Sequence, residues 1–204
     1  MNDAAEVEPD ERGADAMTQP FFTIGHSTRS IPDFVDVLRS GPVELVIDVR
    51  TVPRSRTNPQ YNQDVLGEAL APYQVGYSRI AELGGLRGRS HDVPPETNGW
   101  WENRSFHNYA DYALSDSFRD GLDQLVAIGR ERRTAIMCSE AVWWRCHRRI
   151  VADHLLASGR EVFHLMAPDR IEPARLTPGG VVRDGSPVYP AAAESLSAAA
   201  AEGP

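Results

Sequence analysis

The stretch Val43-Glu44-Leu45-Val46-Ile47-Asp48-Val49 is the clearest strand signal in the sequence and decides its fold. Its apolar residues are nearly continuous and rich in β-branched side chains, as in a parallel strand that is buried on both faces. Outward from this stretch, shorter strand signals alternate with segments whose apolar residues recur at helical spacing; these strand signals lie at residues 21–24, 77–80, 134–138 and 162–165. The alternation predicts an α/β fold in a single domain, with a mostly parallel sheet of about five strands and helices on both faces.

The two ends of the chain differ in composition from its middle. Residues 1–19 carry six acidic residues against one arginine and predict a disordered acidic leader. Residues 191–204 are a low-complexity, alanine-rich tail, which leaves residues 20–190 as the single predicted domain. Most of the formal net charge of −8 belongs to the two ends, so the domain itself is nearly neutral. It therefore lacks the broad basic field that drives non-specific binding to nucleic acid.

The composition also indicates where the protein works. Apolar residues make up 41% of the chain, as in globular proteins, and no stretch approaches the roughly 18 consecutive apolar residues of a membrane span. Two cysteines without a secretory signal favour a reducing compartment. We therefore expect a cytoplasmic protein with no membrane partner. The sequence carries no signal for an oligomeric state.

Polar side chains follow three of the predicted strands. Gly25-His26-Ser27 follows the first strand, Asp48 and Arg50 lie at the end of the second, and Cys138-Ser139-Glu140 comes at the end of the strand at 134–138. Because ligands bind at the carboxyl ends of the strands in parallel sheets, we expect these groups to converge at one edge. Convergence of such residue types is typical of an active site.

The two cysteines are the leading candidates for chemistry. Cys138 and Cys146 lie eight residues apart, and the pattern places Cys146 in the first turn of a helix, followed by His147 and Arg148. Free N–H groups and the helix dipole at such a position favour a thiolate, so a lowered thiol pKa is expected for Cys146. Packing of both cysteines as small apolar residues of the interior is the alternative interpretation.

An anion is expected beside the cysteines. Arg50 and Arg148 would hold it, with Ser27 and Ser139 as further substrate-binding residues. Asp48 would orient Arg50 or a histidine, or act as a base; a buried Asp–Arg pair that shapes the loop explains the same residues.

A metal site is a second interpretation of the cysteine region. Cys138, Cys146 and His147 supply soft ligands, and His26 would be a fourth. The spacing matches no standard zinc pattern, and adjacent residues such as Cys146 and His147 would point in different directions on a helix. No cofactor is therefore predicted.

Nucleic acid is a third interpretation, based on the long irregular segment at residues 84–105. Arginines interleaved with aromatic residues could line a groove for single-stranded nucleic acid, and exposed arginines beside ordinary packed aromatics explain the same pattern. The residues concerned are Arg54, Arg56, Arg87, Arg89, Tyr61, Tyr77, Trp100 and Trp101.

Taken in order, several short motifs resemble the bacterial and archaeal family catalogued as domain of unknown function 488. They are Thr23-Ile24-Gly25-His26-Ser27, Ile47-Asp48-Val49-Arg50, Pro53-Arg54-Ser55, Glu82-Leu83-Gly84-Gly85, Met137-Cys138-Ser139-Glu140 and Cys146-His147-Arg148. The resemblance covers roughly residues 21–190. It implies a compact α/β domain in which the paired cysteines and the Cys-His-Arg step are functional, and it implies no particular reaction.

These observations together predict an enzyme with a cysteine-centred active site that acts on a small anionic or nucleotide-like substrate. One thiol would be the nucleophile or redox centre, a histidine would transfer protons, and a carboxylate would orient the partners. The catalytic candidates are Cys138, Cys146, His147, Glu140, His26 and Asp48. The alternative functions are a nucleic-acid-associated binding or repair protein and a metal-binding module.

Overall fold

The computed structural model describes residues 19–191. The predicted acidic leader and alanine-rich tail lie almost entirely outside these described residues, so both stay predictions.

A six-stranded sheet organises the described part of the chain. Its order is β3-β2-β4-β1-β5-β6, and its strands are β1 (Phe21–Gly25), β2 (Leu45–Asp48), β3 (Gly76–Arg79), β4 (Thr134–Cys138), β5 (Val162–Ala167) and β6 (Arg170–Pro173). The first five strands are parallel, and β6 runs antiparallel to β5 at the edge. A separate hairpin pairs β7 (Val181–Arg183) with β8 (Ser186–Val188). The predicted α/β fold is confirmed.

Helices cover both faces of the sheet. On one face lie α1 (Ile31–Ser40) and α2 (Gln63–Leu70), and on the other lie α3 (Arg104–Tyr112), α4 (Asp116–Glu131) and α5 (Arg148–Ala157). Alternate residues of β2 enter the two cores: Val46 packs in the core of α1 and α2, and Ile47 in the core of α3 to α5. Burial on both faces is the reason that this strand is apolar throughout. Among residues 19–191, no helix has the length and apolar character to cross a membrane.

The strand register brings three strand ends to one edge of the sheet. Gly25 of β1 lies opposite Cys138 of β4, and Asp48 of β2 lies opposite Met137. The backbone N–H of His26 then donates to the carbonyl of Cys138 at 2.9 Å, which continues the ladder beyond the strands. The residues that follow β1, β2 and β4 are therefore neighbours.

The predicted start of the last helix is wrong. A short 3-10 helix spans Trp143–Arg145, Cys146 is extended with φ −128° and ψ 142°, and α5 begins only at Arg148. The backbone N–H of Cys146 donates to the carbonyl of Trp143 at 3.1 Å, so the 3-10 turn ends before the α-helix begins. Cys146 is therefore not in the first helical turn.

Candidate active site

A cleft of about 760 Å³ opens at the edge where the three strand ends meet. Segments around residues 51–58, 85–86 and 139–147 and the first turn of α3 at residues 105–106 complete its wall. Most of the predicted site residues line it: His26, Ser27, Arg50, Cys138, Ser139, Glu140, Cys146 and His147. Asp48 and Arg148 are not part of the wall and lie behind it.

Cys138, Cys146 and His147 form a compact group in the cleft wall, which we call the sulfur–imidazole cluster. Nδ1 of His147 lies 3.8 Å from Sγ of Cys138 and 3.7 Å from Sγ of Cys146. The ligand atoms of all three residues lie within 4.8 Å of one another. Both thiols are free, and only 5% of Cys138 and 2% of Cys146 is exposed. The cluster is therefore largely shielded from solvent and still open to the cleft.

A backbone carbonyl fixes the orientation of His147. Its Nε2 lies 2.9 Å from the carbonyl oxygen of Val49, just beyond β2. Because a carbonyl can only accept, Nε2 carries a hydrogen. Nδ1 then faces the sulfurs with a lone pair in the neutral ring, and with a second hydrogen that it can donate to a thiolate in the protonated ring. Gly85 packs against the same ring, since a Cβ there would lie 2.4 Å from Nδ1. The Gly84-Gly85 motif therefore makes room for His147.

The two thiols differ in acidity. A hydrogen bond from the thiol of Cys146, together with His147 and the buried Arg148, lowers the pKa of Cys138 well below the usual thiol value. Burial, reinforced by the neighbouring Cys138, raises the pKa of Cys146. Cys138 is therefore the thiolate of the pair. The sequence-based expectation was the reverse, because it rested on a helix turn that Cys146 does not occupy.

Arg50 is held rigidly in the wall by Asp48. Nε and Nη2 of Arg50 donate to the Asp48 carboxylate at 2.9 and 2.6 Å, and Nη2 also donates to the carbonyl of Tyr61 at 2.6 Å. The Tyr77 hydroxyl donates to the same carboxylate at 2.8 Å. Asp48 is fully buried and does not reach the cleft, so it serves to position Arg50.

His26 has both ring nitrogens engaged. Its Nδ1 donates to the carbonyl of Ser27 at 2.8 Å, and its Nε2 accepts from Nη1 of Arg50 at 3.1 Å. The ring stacks on Tyr61 with centroids 4.1 Å apart, and burial lowers the pKa of His26. Ser27 has a φ of 52°, a backbone conformation that non-glycine residues adopt mainly where the surroundings enforce it. His26 therefore orients Arg50, and its ring has no free nitrogen for proton transfer.

Arg148 does not reach the cleft, contrary to the prediction that it holds the substrate anion. Only 1% of the residue is exposed, and its two terminal nitrogens donate to the carbonyls of Glu140 and Ala141 at 2.7 and 3.2 Å. It therefore holds the loop after β4 in place. The carbonyl of Glu140 also passes directly over Gly25, where any Cβ would collide with it.

Two wall arginines were not assigned to this site from the sequence. Arg145 was not singled out, although it directly precedes the Cys-His step, and Arg54 was assigned to a nucleic-acid groove. Arg50 is paired with Asp48 behind the wall, so the excess of positive charge comes from Arg54 and Arg145 against the carboxylate of Glu140. Arg54 has only a weak, exposed ion pair to Asp64 at 3.7 Å. The wall is therefore electropositive.

Two aromatic residues of the predicted nucleic-acid groove are buried. Tyr61 is fully buried and Trp101 nearly so, which leaves neither ring available for stacking with a base. The guanidinium of Arg87 donates to the carbonyls of Ala81, Glu82 and Gly84. It also lies 3.7 Å from the centroid of the Tyr112 ring. Tyr61, Trp101 and Arg87 therefore serve the interior and the loop itself, and binding of nucleic acid stays a prediction.

Comparison with known proteins gives one match. Residues 30–155 match the family described as Domain of unknown function DUF488. No curated protein and no solved structure matches the chain. The matched segment is more than half of the chain and includes Arg50 and the whole sulfur–imidazole cluster. The protein therefore belongs to the DUF488 family.

Proposed function

We propose that the protein is an enzyme with a cysteine-centred active site that acts on a small anionic or nucleotide-like substrate bound in the cleft. The observation that carries this proposal is the juxtaposition of Cys138, whose sulfur lies 3.8 Å from Nδ1 of His147, with the electropositive wall of the same cleft. A buried, activated sulfur beside a binding site for negative charge is the arrangement that thiol-dependent catalysis requires.

The charge of the wall favours an anionic substrate. A guanidinium carries five N–H donors, and the contacts of Arg50 with Asp48, Tyr61 and His26 use four of them. The fifth has no partner among residues 19–191, and Arg50 is held rigid at the cleft wall. Exposed Arg54 and Arg145 add two further planar donors, which match carboxylate and phosphate groups in geometry.

Apolar side chains of the wall favour a substrate that also has an apolar part. Val52 and Leu86 line the cleft and are 60% and 74% exposed, so each presents uncovered apolar surface next to the arginines. A nucleotide combines a flat base with a charged phosphate and would use both kinds of surface.

The chemistry follows from the order of acidity in the cluster. Cys138 supplies the electron pair for a new bond between its sulfur and an electrophilic atom of the substrate. The leaving group departs with the electrons of the broken bond and is protonated by water in the cleft. Cys146 keeps its proton and stabilises the Cys138 thiolate before attack, and Nδ1 of His147 is the base closest to both sulfurs. We place this reaction in the cytoplasm, where thiols stay reduced.

The test is turnover of a panel of nucleoside monophosphates, sugar phosphates and small carboxylates by the wild-type protein and by Cys138→Ser, both with a chelator present. We expect Cys138→Ser to lose turnover while its circular dichroism stays unchanged. Arg54→Gln and Arg145→Gln should raise KM for the same compound, with Arg119→Gln on the exposed surface of α4 as the matched control. Wild-type turnover in Cys138→Ser would remove the thiol from the mechanism.

A further inference from the structure

We infer that Cys138, Cys146 and His147 bind a single zinc ion whose fourth coordination position faces the cleft. This inference goes beyond the proposed function, because it needs only the sulfur–imidazole cluster and no substrate. The expectation that adjacent Cys146 and His147 would diverge on a helix does not apply, because Cys146 is extended and only His147 adjoins the helix.

The two sulfur–nitrogen distances within the cluster match the edges of a zinc coordination tetrahedron. With zinc bonds of about 2.3 Å to sulfur and about 2.1 Å to nitrogen, ligand atoms lie about 3.6 Å apart for sulfur and nitrogen and about 3.8 Å apart for two sulfurs. The sulfur–nitrogen distances here are 3.7 and 3.8 Å, and all ligand atoms lie within 4.8 Å of one another. An ion can therefore enter if the two sulfurs approach each other by at most about 1 Å.

Hydrogen bonding accounts for only one of the two sulfur contacts that His147 makes in its neutral form. Nδ1 of His147 has one lone pair, because Nε2 carries the ring hydrogen toward the Val49 carbonyl. Two sulfurs nevertheless approach this single acceptor at almost equal distance. A zinc ion at the centre would use the lone pair of Nδ1 and one lone pair from each thiolate at the same time.

The surroundings of His147 are those of a metal ligand. Histidines that bind a metal usually donate their other N–H to a carbonyl or carboxylate, as Nε2 does to Val49. Gly85 packs against the ring beside Nδ1, and its missing side chain leaves Nδ1 room to face the sulfurs. Two thiolates and one imidazole favour a borderline-soft ion such as zinc over magnesium or calcium.

The fourth position is left to a ligand from the cleft. Within residues 19–191, no other histidine, cysteine, aspartate or glutamate joins this group, and all three of its members line the cleft. Water or an anionic group would therefore complete the coordination. In the zinc-bound protein the sulfur of Cys138 is a ligand and is withheld from substrate, so zinc is a reversible inhibitor of the thiol chemistry proposed above.

The experiment is a titration of the metal-free, full-length chain with cobalt(II), followed by zinc(II). We expect one equivalent of cobalt to produce a sulfur-to-cobalt charge-transfer absorption together with the intense visible bands of four-coordinate cobalt. One equivalent of zinc should then abolish both and protect the two cysteines from iodoacetamide. Cys146→Ser and His147→Asn should each weaken cobalt binding at least tenfold, whereas His91→Asn, which alters an exposed histidine, should bind as the wild type does.

The absence of charge-transfer absorption in the folded wild-type chain would overturn the inference. So would cobalt binding in His147→Asn that equals the wild type, with circular dichroism confirming that the variant is folded. The outcome is separable from that of the proposed function. Cobalt binding combined with unchanged turnover in Cys138→Ser would keep the metal site and remove thiol attack. Absence of cobalt binding combined with loss of turnover in Cys138→Ser would remove the metal site and keep thiol attack.

Discussion

Replacing Gly85 by alanine tests whether the position of His147 controls the reactivity of the cysteine pair. A Cβ at residue 85 would lie 2.4 Å from Nδ1 of His147 and 2.6 Å from its Cγ, whereas an ordinary contact is 3.4 Å or more. The ring must therefore move by about 1 Å, away from the place where it contacts both sulfurs. The φ of Gly85 is not in the left-handed region, so alanine brings no backbone strain of that kind.

The expected effect follows from the contact that is lost. The contact is a hydrogen bond from the protonated His147 ring to the Cys138 thiolate. Such a bond to a charged group contributes about 1.5–3 kcal/mol, so its loss should raise the pKa of Cys138. A less acidic thiolate is intrinsically more nucleophilic, and this offsets about half of the effect on a logarithmic scale. We therefore expect alkylation of Cys138 to slow about 3- to 10-fold at pH values below the wild-type pKa of this thiol.

The assay is the rate of iodoacetamide modification at Cys138, resolved by peptide mass spectrometry in the presence of a chelator. Gly88→Ala in the same loop is the matched control, because a Cβ there meets no atom within 4 Å. A wild-type rate in Gly85→Ala, or equal slowing in both variants, would refute the reasoning.

Three further predictions concern the framework of the site. Arg50→Gln leaves the fully buried Asp48 without its cation and should lower the free energy of unfolding in urea by about 3–5 kcal/mol. The double variant Arg50→Gln/Asp48→Asn should lose less free energy of unfolding, because it has no unpaired buried charge. Equal losses in the single and double variants would contradict a buried ion pair. Burial lowers the pKa of His154 from 6.5 to about 4, so between these pH values the unfolded chain binds more protons than the folded one. The contribution of His154 to the free energy of unfolding should therefore be full above pH 6.5 and should fall toward pH 4, by at most about 3 kcal/mol. His154→Gln should flatten the free energy of unfolding in urea over that pH range, and an unchanged pH dependence would contradict a neutral, buried His154. Gly25→Ala should displace the loop that carries the Glu140 carbonyl and lower the Tm by several degrees. An unchanged Tm would show that stability does not depend on the close contact between Gly25 and this carbonyl.

The position of the site could be predicted from the sequence because it depends on simple features. The apolar run around Ile47 identifies a strand that is buried on both faces, and alternation of strands with helices then implies a parallel sheet. In such a sheet the residues after the strands share one edge, which is where His26, Arg50 and Cys138 lie.

The roles of individual side chains could not be predicted in the same way, because they depend on partners that are distant in sequence. The carbonyl that fixes the His147 ring belongs to Val49, 98 positions away. Arg148 was expected at the cleft because of its charge, but the carbonyls of the loop after β4 occupy its donors. Helix boundaries are also among the least certain features of a sequence, and the acidity expected of Cys146 depended on such a boundary.

The most direct test of the central claim is to follow the modification of both cysteines in the native, metal-free chain under limiting iodoacetamide. Cys138, the thiolate that lines the cleft, should be modified first and well before unfolding, while Cys146 keeps its proton and reacts only slowly. Modification of Cys146 before Cys138, or resistance of both residues until the protein is denatured, would contradict an active centre built on the Cys138 sulfur.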